Sequence, residues 1–170
     1  ACIGVANGTD ALELALRAGG VEANDEVVTV ANAGGYSTAA CHAVGAVPVY
    51  ADVDPITCQI HLASLEQAVT SRTKAIIVTH LYGFMNDLSS IRDRLNVLGK
   101  NILLIEDCAQ AHGARLNGAR AGSAGDLGAF SFYPTKNLGG LGDGGAVTCS
   151  QEVLATSIRQ LRQYGWKSKY

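Results

Sequence analysis

Short runs of β-branched and aliphatic residues alternate with helix-period segments along this chain, and that alternation restricts its fold more than any other feature. Apolar runs at 2–6, 27–31, 47–51, 75–79, 102–106, 128–132 and 145–149 have the length and composition of strands. Helical patterns lie between them at 9–18, 36–44, 62–69, 87–98 and 151–163. The segment 87–98 is the plainest, with Leu88, Ile91, Leu95 and Leu98 on one face and Arg92, Asp93 and Asn96 largely off it. Strands separated by helices need crossover connections, which produce a mainly parallel sheet covered on both faces. The near-continuous runs Ala75–Val78 and Ile102–Ile105 fit such burial. The expected class is α/β, with a three-layer α/β/α arrangement around a seven-stranded sheet.

One connection breaks the pattern. Residues 133–144 are too few for a packed crossover helix, and they are rich in glycine and contain Pro134. The strand at 145–149 should therefore run antiparallel to the strand at 128–132, which makes the sheet mixed. Lys136 falls in that reversing loop, just past a strand's carboxyl end, where open α/β sheets bind ligands. It is open to two readings. It is either a solvated loop charge or an amine made nucleophilic by nearby apolar residues, suited to Schiff-base chemistry with a carbonyl.

Composition narrows the partners. With 48% hydrophobic and 16% charged residues and a net charge of −2, the chain has no basic run that would mark a nucleic-acid surface. No apolar stretch reaches the ~18–20 residues that a membrane helix needs. The five cysteines are odd in number, widely spaced and without a Cys-x-x-Cys pair, which favours reduced thiols and a cytoplasmic location. The four histidines are isolated, so no metal site is expected. The chain opens in what reads as a strand already under way and stops after Tyr164 without a closing element. A piece of a longer protein is expected.

Several weak signals converge near Lys136. Gly140-Leu-Gly-Asp-Gly-Gly145 has the G-x-G-x-x-G spacing, but a strand follows it where a dinucleotide fingerprint requires a helix. Asn7-Gly-Thr-Asp-Ala-Leu12 reads as strand, glycine turn and helix start. Free N–H groups there, beside the Thr9 hydroxyl, form a phosphate cradle; simple capping by Thr9 or Asp10 is the alternative. No Walker lysine accompanies it. Asp107 ends an apolar strand, either as a turn residue or as a carboxylate for the protonated nitrogen of a pyridine cofactor. Gln110 and His112 follow within reach. Ser131 interrupts Phe130-Ser-Phe132, and a buried hydroxyl there needs a partner such as a phosphate. An amine, a carboxylate, a helix N-terminus and hydroxyls together describe a site for pyridoxal phosphate.

On these residues the chain resembles the DegT/DnrJ/EryC1/StrS family, pyridoxal-phosphate enzymes that aminate keto sugars on nucleotide carriers. The resemblance runs through Asn7-Gly-Thr-Asp-Ala-Leu12, Gly45-Ala-Val-Pro-Val-Tyr-Ala-Asp-Val-Asp-Pro55 and His80-Leu-Tyr-Gly83. It continues in Glu106-Asp-Cys-Ala-Gln-Ala-His-Gly113 and Phe130-Ser-Phe-Tyr-Pro-Thr-Lys-Asn-Leu-Gly139. It implies the aspartate-aminotransferase fold, fold type I, with residues 1–170 as the large domain and a small C-terminal domain beyond them. Lys136 would carry the cofactor as a Schiff base and Asp107 would pair with its ring nitrogen. Gln110 would meet the phenolic oxygen, while Gly8, Thr9 and Ser131 would hold the phosphate.

The resemblance further implies glutamate as amino donor and a homodimer with shared sites. A ring-stacking aromatic is expected in Ala31-Asn-Ala-Gly-Gly-Tyr-Ser-Thr38, and Tyr36 is the candidate. Phe84-Met85-Asn86 departs from the family's usual Gln-Pro and is expected to reshape the substrate mouth. The alternatives are a sugar dehydratase on the same scaffold and a ligand-binding module without catalysis. The dehydratase branch has histidine where Lys136 stands.

Overall fold

The computed structural model describes residues 1–167; residues 168–170, the end of the segment expected to lack a closing element, lie outside them. All seven expected strands form one sheet. They are β1 (Cys2–Val5), β2 (Glu26–Val30), β3 (Val47–Ala51), β4 (Thr73–Thr79) and β5 (Leu103–Asp107), followed after a small hairpin by β8 (Leu127–Ser131) and β9 (Gly145–Cys149). Their order is β1-β9-β8-β5-β4-β2-β3, which places β5 fourth of the seven, at the centre. β9 is antiparallel to both of its neighbours, β1 and β8, as the short glycine-rich connection demands. The remaining pairs are parallel.

The five helices also form: α1 (Gly8–Ala18), α2 (Tyr36–Ala43), α3 (Leu62–Ala68), α4 (Leu88–Val97) and α5 (Glu152–Leu161). Strand alternation sends Ile105 to one side of the sheet and Leu104 to the other. Ile105 packs with Leu12, Leu16, Cys41 and Ile158 beneath α1, α2 and α5. Leu104 packs with Leu65, Ile91 and Leu95 beneath α3 and α4. No described helix is long and apolar enough to cross a membrane.

Helix α1 begins earlier than expected, and its cap is neither Thr9 nor Asp10. Asn7 is extended at φ −163°, and its side-chain oxygen accepts the Asp10 N–H at 2.8 Å. Gly8 and Thr9 therefore belong to the first turn, whose remaining N–H groups have no partner within the helix. A hairpin of β6 (Arg115–Leu116) and β7 (Ala119–Arg120) lies between β5 and β8. Asn117 and Gly118 turn it with φ of 50° and 84°, the two left-handed positions of a two-residue hairpin loop.

A buried ion network fixes the end of the central strand. Glu106 and His80 are fully buried, with His80 Nε2 and Glu106 Oε2 2.9 Å apart. The Asn86 N–H donates to His80 Nδ1 at 3.2 Å, so in the neutral ring the proton sits on Nε2 and is donated to Glu106. The Gly122 N–H donates to Oε2 at 3.0 Å, and the Ala124 and Gly125 N–H groups donate to Oε1 at 2.8 and 2.7 Å. Burial pushes the Glu106 carboxyl up, but His80 and the Gly125 and Gly122 N–H groups outweigh it and leave the acid below its ordinary value of 4.5. Cys108 lies close by, and the three ligand-type atoms fall within 4.8 Å of one another, the spacing of a metal centre. The Glu106 oxygens are already engaged with these donors, and His80 Nε2 turns its proton toward Glu106.

This network gives a pH-dependent expectation. A carboxyl whose folded pKa is depressed stabilises the fold above its unfolded value, near 4.5, and that contribution disappears as pH falls through the folded value. Glu106→Gln places an NH2 group where N–H donors point. It should lower stability at neutral pH by about 1–3 kcal/mol and flatten the acid limb of the stability curve. Urea denaturation across a pH series measures both effects, and a parent-like midpoint at neutral pH would contradict them.

Candidate active site

The carboxyl ends of β5 and β8 and the N-terminus of α1 enclose a cavity of about 530 Å³, near the size of a cofactor-binding cleft. Gly8, Thr9, Tyr36, Asp107, Ser131 and Lys136 line it together. These are six of the seven residues singled out from the sequence, drawn from four different parts of the chain.

Asp107 is the next residue after Glu106, so it leaves the sheet on the opposite face. Its surroundings are opposite too. It is only 6% exposed, and among the described residues it accepts one hydrogen bond, from the Ala109 N–H to Oδ1 at 3.1 Å. Burial drives its carboxyl above the ordinary range. The Ala109 N–H, the Lys136 ammonium, the nearby His80 and the Thr79 hydroxyl oppose that shift without cancelling it. A buried carboxylate with so little compensation is an acceptor prepared for a cation or an N–H⁺ donor.

Across the cavity α1 presents its N-terminus. A Cβ on Gly8 would stand 2.7 Å from Ser131 Cβ, so only glycine lets the helix approach the end of β8 this closely. Ser131 is buried, and its Oγ accepts the Tyr133 N–H at 3.3 Å, which leaves its own proton to donate. The free N–H groups of the α1 first turn and the Thr9 and Ser131 hydroxyls form an anion cradle.

Lys136 is held by its loop, and its setting lies between the two readings, neither fully solvated nor enclosed by apolar residues. The side chain is half-buried, while Thr135 and Asn137 on either side are exposed. The Lys136 N–H closes a turn onto the Tyr133 carbonyl at 2.8 Å, and the Gly140 N–H reaches the Phe132 carbonyl at 2.7 Å. Gly139 is required because a Cβ there would run into the Pro134 carbonyl. Lys136 Nζ lies 6.0 Å from the centre of the Tyr36 ring, the two groups facing each other across the cavity.

Gln110 is the seventh residue, and it stands outside the lining. Its Oε1 accepts the Tyr82 N–H at 2.9 Å, where Tyr82 is left-handed at φ 54°. That bond fixes the amide and leaves Nε2 as its free donor. His112 packs on Phe130 and Phe132, with ring centroids 5.6 and 5.7 Å away, rather than lining the cavity. Asp143 of the glycine loop does line it and carried no sequence signal. Met85 and Asn86, expected near a substrate mouth, are buried. Asn86 Nδ2 donates to the Thr79 carbonyl at 2.8 Å and Oδ1 accepts the Ile60 N–H at 3.0 Å, so this departure belongs to the framework. Phe84 alone of the three is largely exposed.

An anion cradle, an under-compensated acid and an amine within one cavity could hold the phosphate, ring nitrogen and carbonyl of pyridoxal phosphate. Comparison with known proteins gives the family. The chain is 47% identical, over 99% of its length, to a dTDP-3-amino-3,4,6-trideoxy-alpha-D-glucose transaminase of Micromonospora megalomicea subsp. nigra, covering 45% of that protein. It is 51% identical, again over 99% of its length, to a dTDP-3-amino-3,6-dideoxy-alpha-D-galactopyranose transaminase of Aneurinibacillus thermoaerophilus, covering 46% of it. The chain thus spans about half the length of the curated relatives it matches. Its fold superposes on the crystal structure of S. venezuelae DesV with a TM-score of 0.93 at 43% identity, covering 99% of this chain and 45% of that one. A family model matches residues 1–170 throughout. The chain belongs to the DegT/DnrJ/EryC1/StrS aminotransferase family.

Proposed function

We propose that the protein is a pyridoxal-phosphate-dependent aminotransferase that moves an amino group from glutamate to a keto sugar carried on a nucleotide. The observation that carries this reading is the placement of Lys136, Asp107 and the Gly8–Thr9–Ser131 cradle around one cavity. The transaminase names of the two relatives support a nucleotide-linked sugar as substrate. When bound, pyridoxal phosphate supplies an electron sink for the negative charge that develops on carbon as a proton leaves. The chain's own residues do the rest. Thr9, Ser131 and the α1 N–H groups bind the phosphate, and Asp107 holds a proton on the ring nitrogen. Tyr36 would cover a ring face, and Gln110, which stands outside the lining, would offer only its free Nε2 to the phenolic oxygen. The Lys136 amine takes a proton from the donor's α-carbon and returns one to the former carbonyl carbon of the sugar.

Residues 1–170 are the large, cofactor-binding domain in this reading, and the rest of the substrate site comes from beyond them and from a second copy. The exposed Leu138 beside the glycine loop and Leu141 within it fit an interface between two copies, and a cytoplasmic location suits the five free cysteines. Sedimentation of the full-length protein is expected to give a dimer, and a fully active monomer would overturn the shared-site picture.

Borohydride reduction of the protein mixed with pyridoxal phosphate should leave the label on the Lys136 peptide. A label on Lys74, Lys100 or Lys167 instead would sink the assignment. Lys136→Arg keeps the charge but not the usable amine. It should lower transfer from glutamate to a keto sugar nucleotide by roughly 10²–10⁴-fold or more, the range for a lost general base.

A further inference from the structure

A buried hydroxyl beside Asp107 has no hydrogen-bond partner among the described residues. Thr79 ends β4 as the direct cross-strand neighbour of Asp107 at the end of β5. Both side chains therefore leave the sheet on one face. Ile77 and Ile105, two residues earlier on the same strands, lie together in the core beneath α1 and α2. Thr79 Oγ1 is sealed from solvent and makes no hydrogen bond among the described residues. Buried hydroxyls without partners are rare, and each asks for a reason. The backbone around Thr79 is fixed, since its carbonyl accepts Asn86 Nδ2–H at 2.8 Å and the next N–H, of His80, donates to the Asp107 carbonyl at 3.0 Å. Only the side-chain torsion remains free. The hydroxyl lies close enough to favour the charged form of the Asp107 carboxylate yet stands out of hydrogen-bond geometry. Asp107 can use it, because the Ala109 N–H on Oδ1 is its one hydrogen bond.

We propose that Thr79 is a positioning residue for Asp107, its hydroxyl rotating to donate to the carboxylate and fixing the orientation in which Asp107 meets a ring N–H⁺ in the cavity. With the Ala109 N–H and the Thr79 O–H both on the carboxylate, the group no longer turns about its terminal torsion, and a lone pair stays directed into the cavity. The proposal rests on the reading of the cavity as a pyridoxal-phosphate site. The other charged or titratable groups around Asp107 are Lys136 and Tyr133 from the β8–β9 connection, His80 after β4, Glu106 and Cys108 on either side of it in the chain, Asp10 of α1, Tyr36 of α2 and Asp143 of the glycine loop. None of these changes in a Thr79 variant.

Thr79→Val, Thr79→Ser and Thr29→Val in the full-length protein test this. Thr29 Oγ1, on β2, is also buried without a partner among the described residues and serves as the control. Carbon NMR of labelled aspartate in the cofactor-free protein reads the Asp107 titration midpoint, and fluorescence titration reads affinity for pyridoxal phosphate. Thr79→Val should move the midpoint upward by about one pH unit, a tenfold change in proton affinity, and weaken cofactor binding by about tenfold. Thr79→Ser should restore both, and Thr29→Val should leave both parent-like. A parent-like midpoint in Thr79→Val, or an equal shift in Thr29→Val, overturns the proposal while leaving the function intact. Failure of the parent to bind pyridoxal phosphate overturns the function and the proposal together. If Thr79→Val does not fold, Thr79→Ala is read against the same outcomes.

Discussion

Two adjacent carboxylates buried at the end of the central strand set the terms for the rest of this structure. Strand alternation sends Glu106 and Asp107 to opposite faces, and the two faces treat them differently. Glu106 accepts from His80 and three backbone N–H groups, so its charge is compensated and its carboxyl lies low. Asp107 has one N–H, and burial pushes its carboxyl high. The first carboxylate ties the strand to the loop 122–125 and to the segment after β4. The second is left under-compensated on the rigid platform that the first one builds. Folded chains keep such a charge where it acts on something else.

The neighbouring elements answer that charge. The short β8–β9 connection forces an antiparallel strand and leaves Lys136 in a closed loop over the sheet's carboxyl edge. Gly8 lets α1 reach Ser131, so a helix N-terminus arrives at the same edge. Negative, positive and anion-attracting groups thus meet in one cavity without any long-range movement of the chain. The chemistry sits on strand ends and a helix start, which hold side chains more exactingly than free loops do.

Much of this was readable in the sequence because it rests on local periodicity and loop length. The strands and helices followed from apolar patterning, and the mixed sheet from too few residues between 133 and 144. Positions at strand ends pointed to Asp107, Ser131 and Lys136. Other features rest on contacts that spacing does not encode. The Asn7-Gly-Thr-Asp10 segment holds three possible caps, and the extended backbone at Asn7 decides among them. Gln110 is drawn aside by a left-handed Tyr82 that has no sequence signature. His80 and Glu106 are far apart in the chain, so their pairing shows no period. The 115–120 hairpin was missed although Asn117-Gly118 carries its turn signal, because strands of two residues are too short to show alternation.

The central claim is that Asp107 is a liability in the empty fold and an asset once a cationic ring nitrogen is bound. Thermal unfolding of the full-length parent and of Asp107→Asn, with and without pyridoxal phosphate, tests it most directly. An acid whose folded pKa is raised destabilises the fold increasingly as pH climbs from its unfolded value, 3.8, through the raised one. Without cofactor at neutral pH, Asp107→Asn is therefore expected to be at least as stable as the parent, with pyridoxal phosphate stabilising the parent far more than the variant. A variant that is less stable when empty, and that gains as much as the parent from the cofactor, would contradict the account.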